Sequence, residues 1–493
     1  MITVRLLIGA MSAGLVACAV GPDFKKPPPP PPTADYGAAS AQLEAAPKGD
    51  APGGPAQHLV VGMDIPAEWW TLYRSPQLSG LIDRALKANP DLGAAEAALR
   101  QAHELYAAQR TAYFPVVQGG FSGTRAKNAL GTISNPTNLP QSDPYYSLYT
   151  AQLTLTYSPD VFGVTRRSLE AARAGVAGTR FQYEATYVTL TSNVVVTAVQ
   201  EASLRGQIAA TERLLQIQQQ LTETVRHQRT LGTASDLDLF GQESLQAQTA
   251  QTLPPLQKQL GQTRDALTAL LGQLPADEPQ ETFRLEDLTL PADLPVSLPS
   301  KLVEQRPDVR QAEENLHAAS AQVGVALGNM LPQFSIDANL GSSALKLAQL
   351  FSPYTGFWDL GASLTQTLFD AGALVHRHRA AEAALDQAGA QYRSAVILAC
   401  QNVADTLRAL QSDANALKAS AEAEAAASKT FELARHQREL GTISLVALLT
   451  AEQAYQQAEL SLVQAQASRY ADTAGLFQAL GGGWWNRHSG VSP

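Results

Sequence analysis

The chain has 493 residues, a formal charge of −9 and only 16% Asp, Glu, Lys and Arg. That negative balance, with no long basic run, argues against nucleic acid as a partner. Apolar residues reach 45%, but much of that is alanine set among Gln, Glu and Leu, a composition suited to long, closely packed helices.

Residues 1–17 carry one basic residue, Arg5, and an apolar run from Leu6 to Ala17 broken by Gly9, Ser12 and Gly14. The run is too short for a membrane-spanning helix and reads as a secretory signal. Leu15-Val16-Ala17-Cys18 resembles the bacterial lipobox, which implies cleavage before Cys18 and acylation there. Several acyl chains give stable anchoring where one does not. Ala19 follows the cysteine in place of an aspartate, which favours the outer membrane. From residue 18 to about residue 62 six consecutive prolines and polar residues without apolar periodicity make a tether. The second cysteine, Cys400, lies far away among alanine and valine, so a disulfide framework is not expected and packing is its expected role.

The body of the chain is a tandem duplication. HQRTLGTAS at residues 227–235 returns as HQRELGTIS at residues 436–444, an offset from 227 to 436 of 209. The same register pairs Tyr183 with Tyr392, Asn193 with Asn402, Glu243 with Glu452 and Leu271-Gly272 with Leu480-Gly481. Upstream, Asn89-Pro90-Asp91-Leu92 answers Arg306-Pro307-Asp308-Val309 at an offset from 89 to 306 of 217. Repeats of this kind set the architecture before any single element does.

The first copy spans residues 63–272. Its globular part begins at Trp69-Trp70-Thr71-Leu72-Tyr73, and Leu78, Leu81, Ile82, Ala85 and Leu86 then recur at helical spacing. Strands are expected within about 115–158: Tyr149, Ala151, Leu153, Leu155 and Tyr157 alternate with Thr150, Gln152, Thr154 and Thr156, while residues 116–124 alternate more weakly. A long helix over about 163–231 has no proline, and a return helix over about 235–271 contains Pro254-Pro255, where a kink is expected. Residues 273–300, with five prolines, read as a linker. The second copy, 301–481, repeats the plan with strands within about 333–369, a long helix over about 371–440 and a return helix over about 444–480. Residues 482–493 form a tail.

The strands decide the architecture. Their length of about nine to eleven residues is that of a tilted membrane-spanning strand. Tyr149, Tyr157, Trp358 and Phe369 stand where an interfacial girdle belongs. Tyr149, Leu153, Leu155, Phe334, Ile336, Leu340, Leu360 and Leu364 are expected to face lipid, and Thr154, Thr156, Asp337 and Ser363 a lumen. Four strands cannot close a barrel, and an open edge cannot face lipid, so several chains must share one. Soluble hairpins packed on helices are the competing reading.

No nucleotide loop, nucleophile elbow or spaced Cys/His cluster is present. His376 and His378 point to different sides of a helix and are not expected to bind metal. His227 and His436 sit where they complement the carbonyl end of a helix, and Asp236 and Asp238 where carboxylates suit a helix start. No catalytic role, metal or cofactor is expected beyond covalent lipid on Cys18. In the Leu-Gly-Thr turns, Gly232 and Gly441 supply the left-handed residue and Ser235 and Ser444 cap the next helix. Arg229 and Arg438, and Thr233 and Thr442, recur beside them.

LPSKLVEQRPDVRQAE from Leu298, LYRSPQLSGLI from Leu72, the two LGT turns and ALGGGWW from Ala479 resemble the outer-membrane efflux channels related to TolC, in the lipoprotein branch that includes OprM and NodT. The resemblance implies a mainly α fold with membrane β structure: a homotrimer whose four strands per chain complete a twelve-stranded β-barrel, with long antiparallel helices forming a periplasmic α-barrel. It implies a passive exit duct for drugs or other small molecules, docked to a periplasmic adaptor and an inner-membrane pump of the RND type. The docking tip would then include Arg229, Gly232, Thr233, Ser235, Arg438, Gly441, Thr442 and Ser444, and Glu432, Leu433 and Arg435 would be aperture candidates. A lipid-anchored periplasmic adaptor or scaffold with soluble hairpins is the alternative.

Overall fold

The computed structural model of the chain describes residues 20–31, 57–127 and 145–487. The signal, Cys18, the later part of the tether, the loop after the first long strand and the last six residues lie outside them. In chain order, β1 (His58–Val61) precedes α1 (Pro76–Ala88) and α2 (Pro90–Arg110). The strands β2 (Val116–Lys127) and β3 (Tyr145–Tyr157), the long helix α3 (Val164–Thr230) and its return α4 (Asp236–Leu270) complete the first copy. The second contributes β4 (Asp293–Val296), α5 (Pro299–Gln305), α6 (Pro307–Gly328), β5 (Gln333–Ala344), β6 (Gly356–Thr365), α7 (Ala373–Glu439) and α8 (Leu445–Ala479). Both long helices have 67 residues and both returns 35. At 1.5 Å per residue each long helix measures about 100 Å.

The chain divides into two compact units, and each draws segments from both copies. The first comprises Met1–Lys26, Arg100–Gly178 and Glu313–Gln391. Its centre is one antiparallel sheet in the order β2-β3-β5-β6. Each hairpin comes from one copy, and β3 against β5 joins them. The residues just after the predicted anchor are strapped to this unit. The Val20 amide donates to the Phe162 carbonyl at 3.2 Å, Arg167 pairs with Asp23 at 2.6 Å, and the Phe24 ring stacks on His317 at 4.3 Å.

The second unit comprises Pro27–Leu99, Thr179–Ala312 and Tyr392–Pro493. The periodicity of α1 is realised: Leu78, Leu81, Ile82 and Ala85 are fully buried. Trp69 stacks on Phe477 with ring centroids 5.1 Å apart, and the Tyr73 hydroxyl donates to the Tyr470 carbonyl at 2.8 Å. Twin contacts repeat the duplication in space. Asn89 Nδ2 donates to the Leu270 carbonyl and Arg306 Nη1 to the Ala479 carbonyl, each at 2.9 Å. Beside them a Cβ on Gly272 would lie 2.3 Å from the Ala88 carbonyl oxygen, and one on Gly481 2.7 Å from that of Gln305, so both positions require glycine.

Two stretches read as spacers are folded. Within 273–300, Phe283, Leu288, Leu290 and Leu294 are buried, and β4 pairs in parallel with β1, His58 opposite Asp293. The prolines there break helix, yet the apolar residues between them cover the second unit's core. The tether accordingly ends before Gln57, which is buried and donates to the Pro291 carbonyl at 3.1 Å. In α4 the helix continues through Pro254 and Pro255 without ending.

Candidate functional site

The two Leu-Gly-Thr turns close on their long helices with the same hydrogen bonds. Gly232 has φ +75° and Gly441 φ +73°. The Gly232 amide donates to the Arg229 carbonyl at 3.0 Å and the Thr233 amide to that of Gln228 at 2.9 Å; Gly441 to Arg438 and Thr442 to Gln437 repeat this at 3.0 Å each. This is the Schellman closure, which satisfies the last carbonyls of a helix. The Thr233 and Thr442 hydroxyls add bonds to the same carbonyls at 3.0 and 2.9 Å. Ser235 caps α4 in a reciprocal box with Asp238, and the Ser444 hydroxyl accepts from the Ala447 amide at 3.2 Å. Hydrogen bonding from Ser235 holds the Asp238 carboxyl below its usual range.

The repeated arginines also act within the turns. Arg229 pairs with Asp236. Arg438 donates to the Ile443 carbonyl at 3.2 Å and reaches the other copy at Gln228 Oε1, 3.3 Å. The identity of Arg, Thr and Ser between copies therefore has a local cause: each builds the turn. A docking surface needs exposed groups, and those lie at other twin positions. Leu231 and Leu440 are each 65% exposed, and Leu237 and Val446, twins at the same offset, are 82% and 66% exposed. Motif reading passed over them because helix periodicity assigns apolar residues to cores; the signal was apolar character at both members of a twin pair outside the buried stripe.

Behind the turns the hairpins pack through Val225, Leu239, Phe431, Ala434, Leu445 and Leu448. Phe431 and Tyr455 stack at 5.7 Å. Between α3 and α7 a groove of about 380 Å³ is lined by Ile217, Leu221, Phe431, Leu448, Arg435 and Arg438. Of the aperture candidates, Arg435 faces this groove, and Glu432 and Leu433 are exposed on the same turn of α7.

The sheet has two chemically distinct faces. The cross-strand rows Val117-Leu155-Ala338-Leu360 and Gly119-Leu153-Leu340-Trp358 fall on one of them, with Phe334 opposite Leu364 and Tyr157 opposite Ile336. The other carries Gln118-Thr154-Asn339-Asp359 and Val116-Thr156-Asp337-Gly361, with Ser335 opposite Ser363. Polar side chains on that face link strand to strand. The Thr154 hydroxyl donates to Asn339 Oδ1 at 2.8 Å and Asn339 Nδ2 to Asp359 Oδ1 at 3.0 Å. Outer strands β2 and β6 each leave one edge without a partner strand among the described residues.

Among the described residues no group of three or more His, Cys, Asp or Glu is placed to hold a metal ion. His378 instead lies 3.6 Å from Glu382. Cys400 is half-buried, and burial pushes its thiol above the usual range. His227 and His436 occupy the last turns of α3 and α7, as the helix-dipole argument places them. No helix among the described residues is long and apolar enough to cross a membrane.

A sheet apolar on one face, polar on the other and open at both edges among the described residues, in a chain that also holds two 67-residue helices, is what a subunit of a shared β-barrel channel requires. The chain belongs to the outer membrane efflux protein family, matching it over residues 81–273 and again over 298–482. The starts of the two matches, 81 and 298, differ by 217 and their ends, 273 and 482, by 209, the two offsets of the internal repeat. Among its relatives, the pyoverdine export outer membrane protein OpmQ of Pseudomonas putida is 29% identical over 418 residues, covering 84% of this chain and 88% of that protein. The solvent efflux pump outer membrane protein SrpC of Pseudomonas putida is 28% identical over 476 residues, 95% of this chain and 96% of that one. The solved structure of the outer-membrane channel OprN superposes with a TM-score of 0.82 at 27% identity, over 95% of this chain and all of the other. The protein is thus an outer-membrane channel component of an efflux system, in a family of transport channels.

Proposed function

We propose that three copies of this chain close one twelve-stranded barrel and serve as a passive exit duct. The observation that carries this reading is the sheet with two open edges and opposed apolar and polar faces. Unpaired backbone edges cannot face hydrocarbon, so β2 of one copy must meet β6 of the next. Four strands per chain give twelve in a trimer, and the polar face, laced by Thr154, Asn339 and Asp359, then lines the lumen. Acylation at Cys18 adds an anchor to the inner leaflet of the outer membrane. The twin turns dock a periplasmic adaptor, with exposed Leu231, Leu237, Leu440 and Val446 as the contact, and the adaptor joins the duct to an inner-membrane pump of the RND type. Small molecules are the cargo; OpmQ and SrpC are named for pyoverdine export and solvent efflux.

The test is electrophoresis of membrane-extracted protein. A shared barrel migrates as a compact trimer unheated and as a monomer of about 52 kDa after boiling. Monomeric migration under both conditions, with release from membranes on removal of Cys18, would instead identify a lipid-anchored scaffold with soluble hairpins.

A further inference from the structure

The internal repeat makes the first hairpin a built-in reference for the second. In the first, Arg226 on α3 pairs with Glu223 one turn back and with Glu243 on α4 at 2.9 Å, clasping the two arms together. At the offset of 209 the second copy holds the same three residue types: Glu432 and Arg435 on α7 and Glu452 on α8. There the clasp is undone. Glu452 is 0% exposed, and neither carboxyl oxygen has a hydrogen-bond partner. Arg435 lines the groove between α3 and α7. Two groups that pair in one copy are thus both unpaired in the other, although the helices carrying them have equal lengths and their turns close with the same backbone bonds.

We infer that the second hairpin carries the same clasp in an open state, and that Arg435 leaves the groove to close on Glu452 when that glutamate is ionised. A buried carboxylate without a partner is costly, so with Arg435 turned away the neutral acid is the stable form. Burial pushes the Glu452 carboxyl up to about 7. Near neutral pH both the neutral and the ionised form of Glu452 are therefore accessible. The charged groups at and around the twin positions are Glu432 and Arg435 of α7, Glu459 of α8, and Glu223, Arg226 and Glu243 of the first hairpin. The open state leaves Arg435 in the groove beside Arg438, while Glu439 at the rim is turned to His436 at 3.7 Å. The closed state withdraws one of the two guanidiniums from the groove. The inference concerns the hairpin end assigned above to docking but does not depend on that role.

Phenylglyoxal labelling of accessible arginines, read by mass spectrometry on the full-length protein in detergent, tests it. Arg226 serves as the internal reference for the reagent's own pH dependence. The ratio of Arg435 to Arg226 labelling should exceed one at pH 5.5 and fall roughly threefold by pH 8.5, the protection a partly exposed ion pair supplies. In Glu452→Gln the ratio should stay high at both pH values, and in Glu432→Gln the fall should persist. A wild-type ratio that does not change with pH overturns the proposal, as does a fall of equal size in Glu452→Gln. If Glu452→Gln fails to assemble, Glu452→Asp, which keeps the acid but shortens its reach, should show a smaller fall than the wild type; an equal fall counts against the clasp.

Discussion

The assignment of the two sheet faces is tested most directly by placing the same charge on each. Along β3 the apolar positions Tyr149, Ala151, Leu153, Leu155 and Tyr157 centre on Leu153, whose neighbours across the sheet are Gly119 and Leu340. Leu155 is two residues nearer the end of the strand, about 5 Å off that centre for a strand rising 3.3 Å per residue at a tilt of about 40°. Leu153 is therefore the sharper probe. An arginine facing lipid at the midplane costs about 2–4 kcal/mol and near the interface at most about 1. Leu153→Arg should thus destabilise each chain by about 3 kcal/mol, Leu155→Arg by less, and the penalty recurs in every chain of a shared barrel. Thr156→Arg sits on the other face between Val116 and Asp337, where a guanidinium meets water and a carboxylate. The yield of heat-modifiable trimer should fall in the order wild type, Thr156→Arg, Leu155→Arg, Leu153→Arg, and Thr156→Arg should mainly alter single-channel conductance. Equal yields from Leu153→Arg and Thr156→Arg, or the reverse order, would refute the orientation.

Other outcomes follow from the anchor, the turns and the buried acid. Cys18→Ala should abolish incorporation of a fatty-acid probe, and continued labelling would place acylation elsewhere. Leu237→Lys with Val446→Lys puts charge on two exposed apolar twins without touching the turn hydrogen bonds, so trimer yield should hold while crosslinking to the adaptor drops severalfold; unchanged crosslinking and export would move the docking surface away from these residues. Thr233→Lys with Thr442→Lys is less clean, because both hydroxyls bond helix carbonyls, and it should also lower the melting midpoint by the loss of about 1 kcal/mol per hydroxyl. Glu452 has a folded pKa of about 7 against an ordinary 4.5. Between these values the folded chain therefore binds more protons than the unfolded one. Its contribution is complete below pH 4.5, is lost as pH rises through 7, and amounts to about 3 kcal/mol at most. The melting midpoint should fall from pH 5 to pH 8 in the wild type and fall less in Glu452→Gln; parallel curves would assign the pH dependence to other groups.

The parts of this molecule written as period or as repetition were legible in its sequence. Period two in Tyr149 to Tyr157 found β3 and its faces, the proline-free run before Gly232 found α3, and HQR-LGT-S found both turns. Residues 273–300 were opaque because proline spacing and apolar burial point in opposite directions there, and only the pairing of β4 with β1 and the covered Phe283 show which prevails. The turn motif misled in a different way. Its Arg, Thr and Ser look selected for a partner because they are identical in both copies, yet each has a bond inside its own turn. Identity between copies thus has local causes in the turns, but it does not guarantee that twin side chains make the same contacts. Glu243 and Glu452 show this most sharply: the letters match, while one carboxylate is paired near the surface and the other is sealed without a partner. The sequence places Arg and Glu at matching positions in the two hairpins, but the pairing differs with the surroundings of each glutamate, partly exposed at Glu243 and sealed at Glu452. The same letters therefore build a clasped hairpin in one copy and an unclasped one in the other.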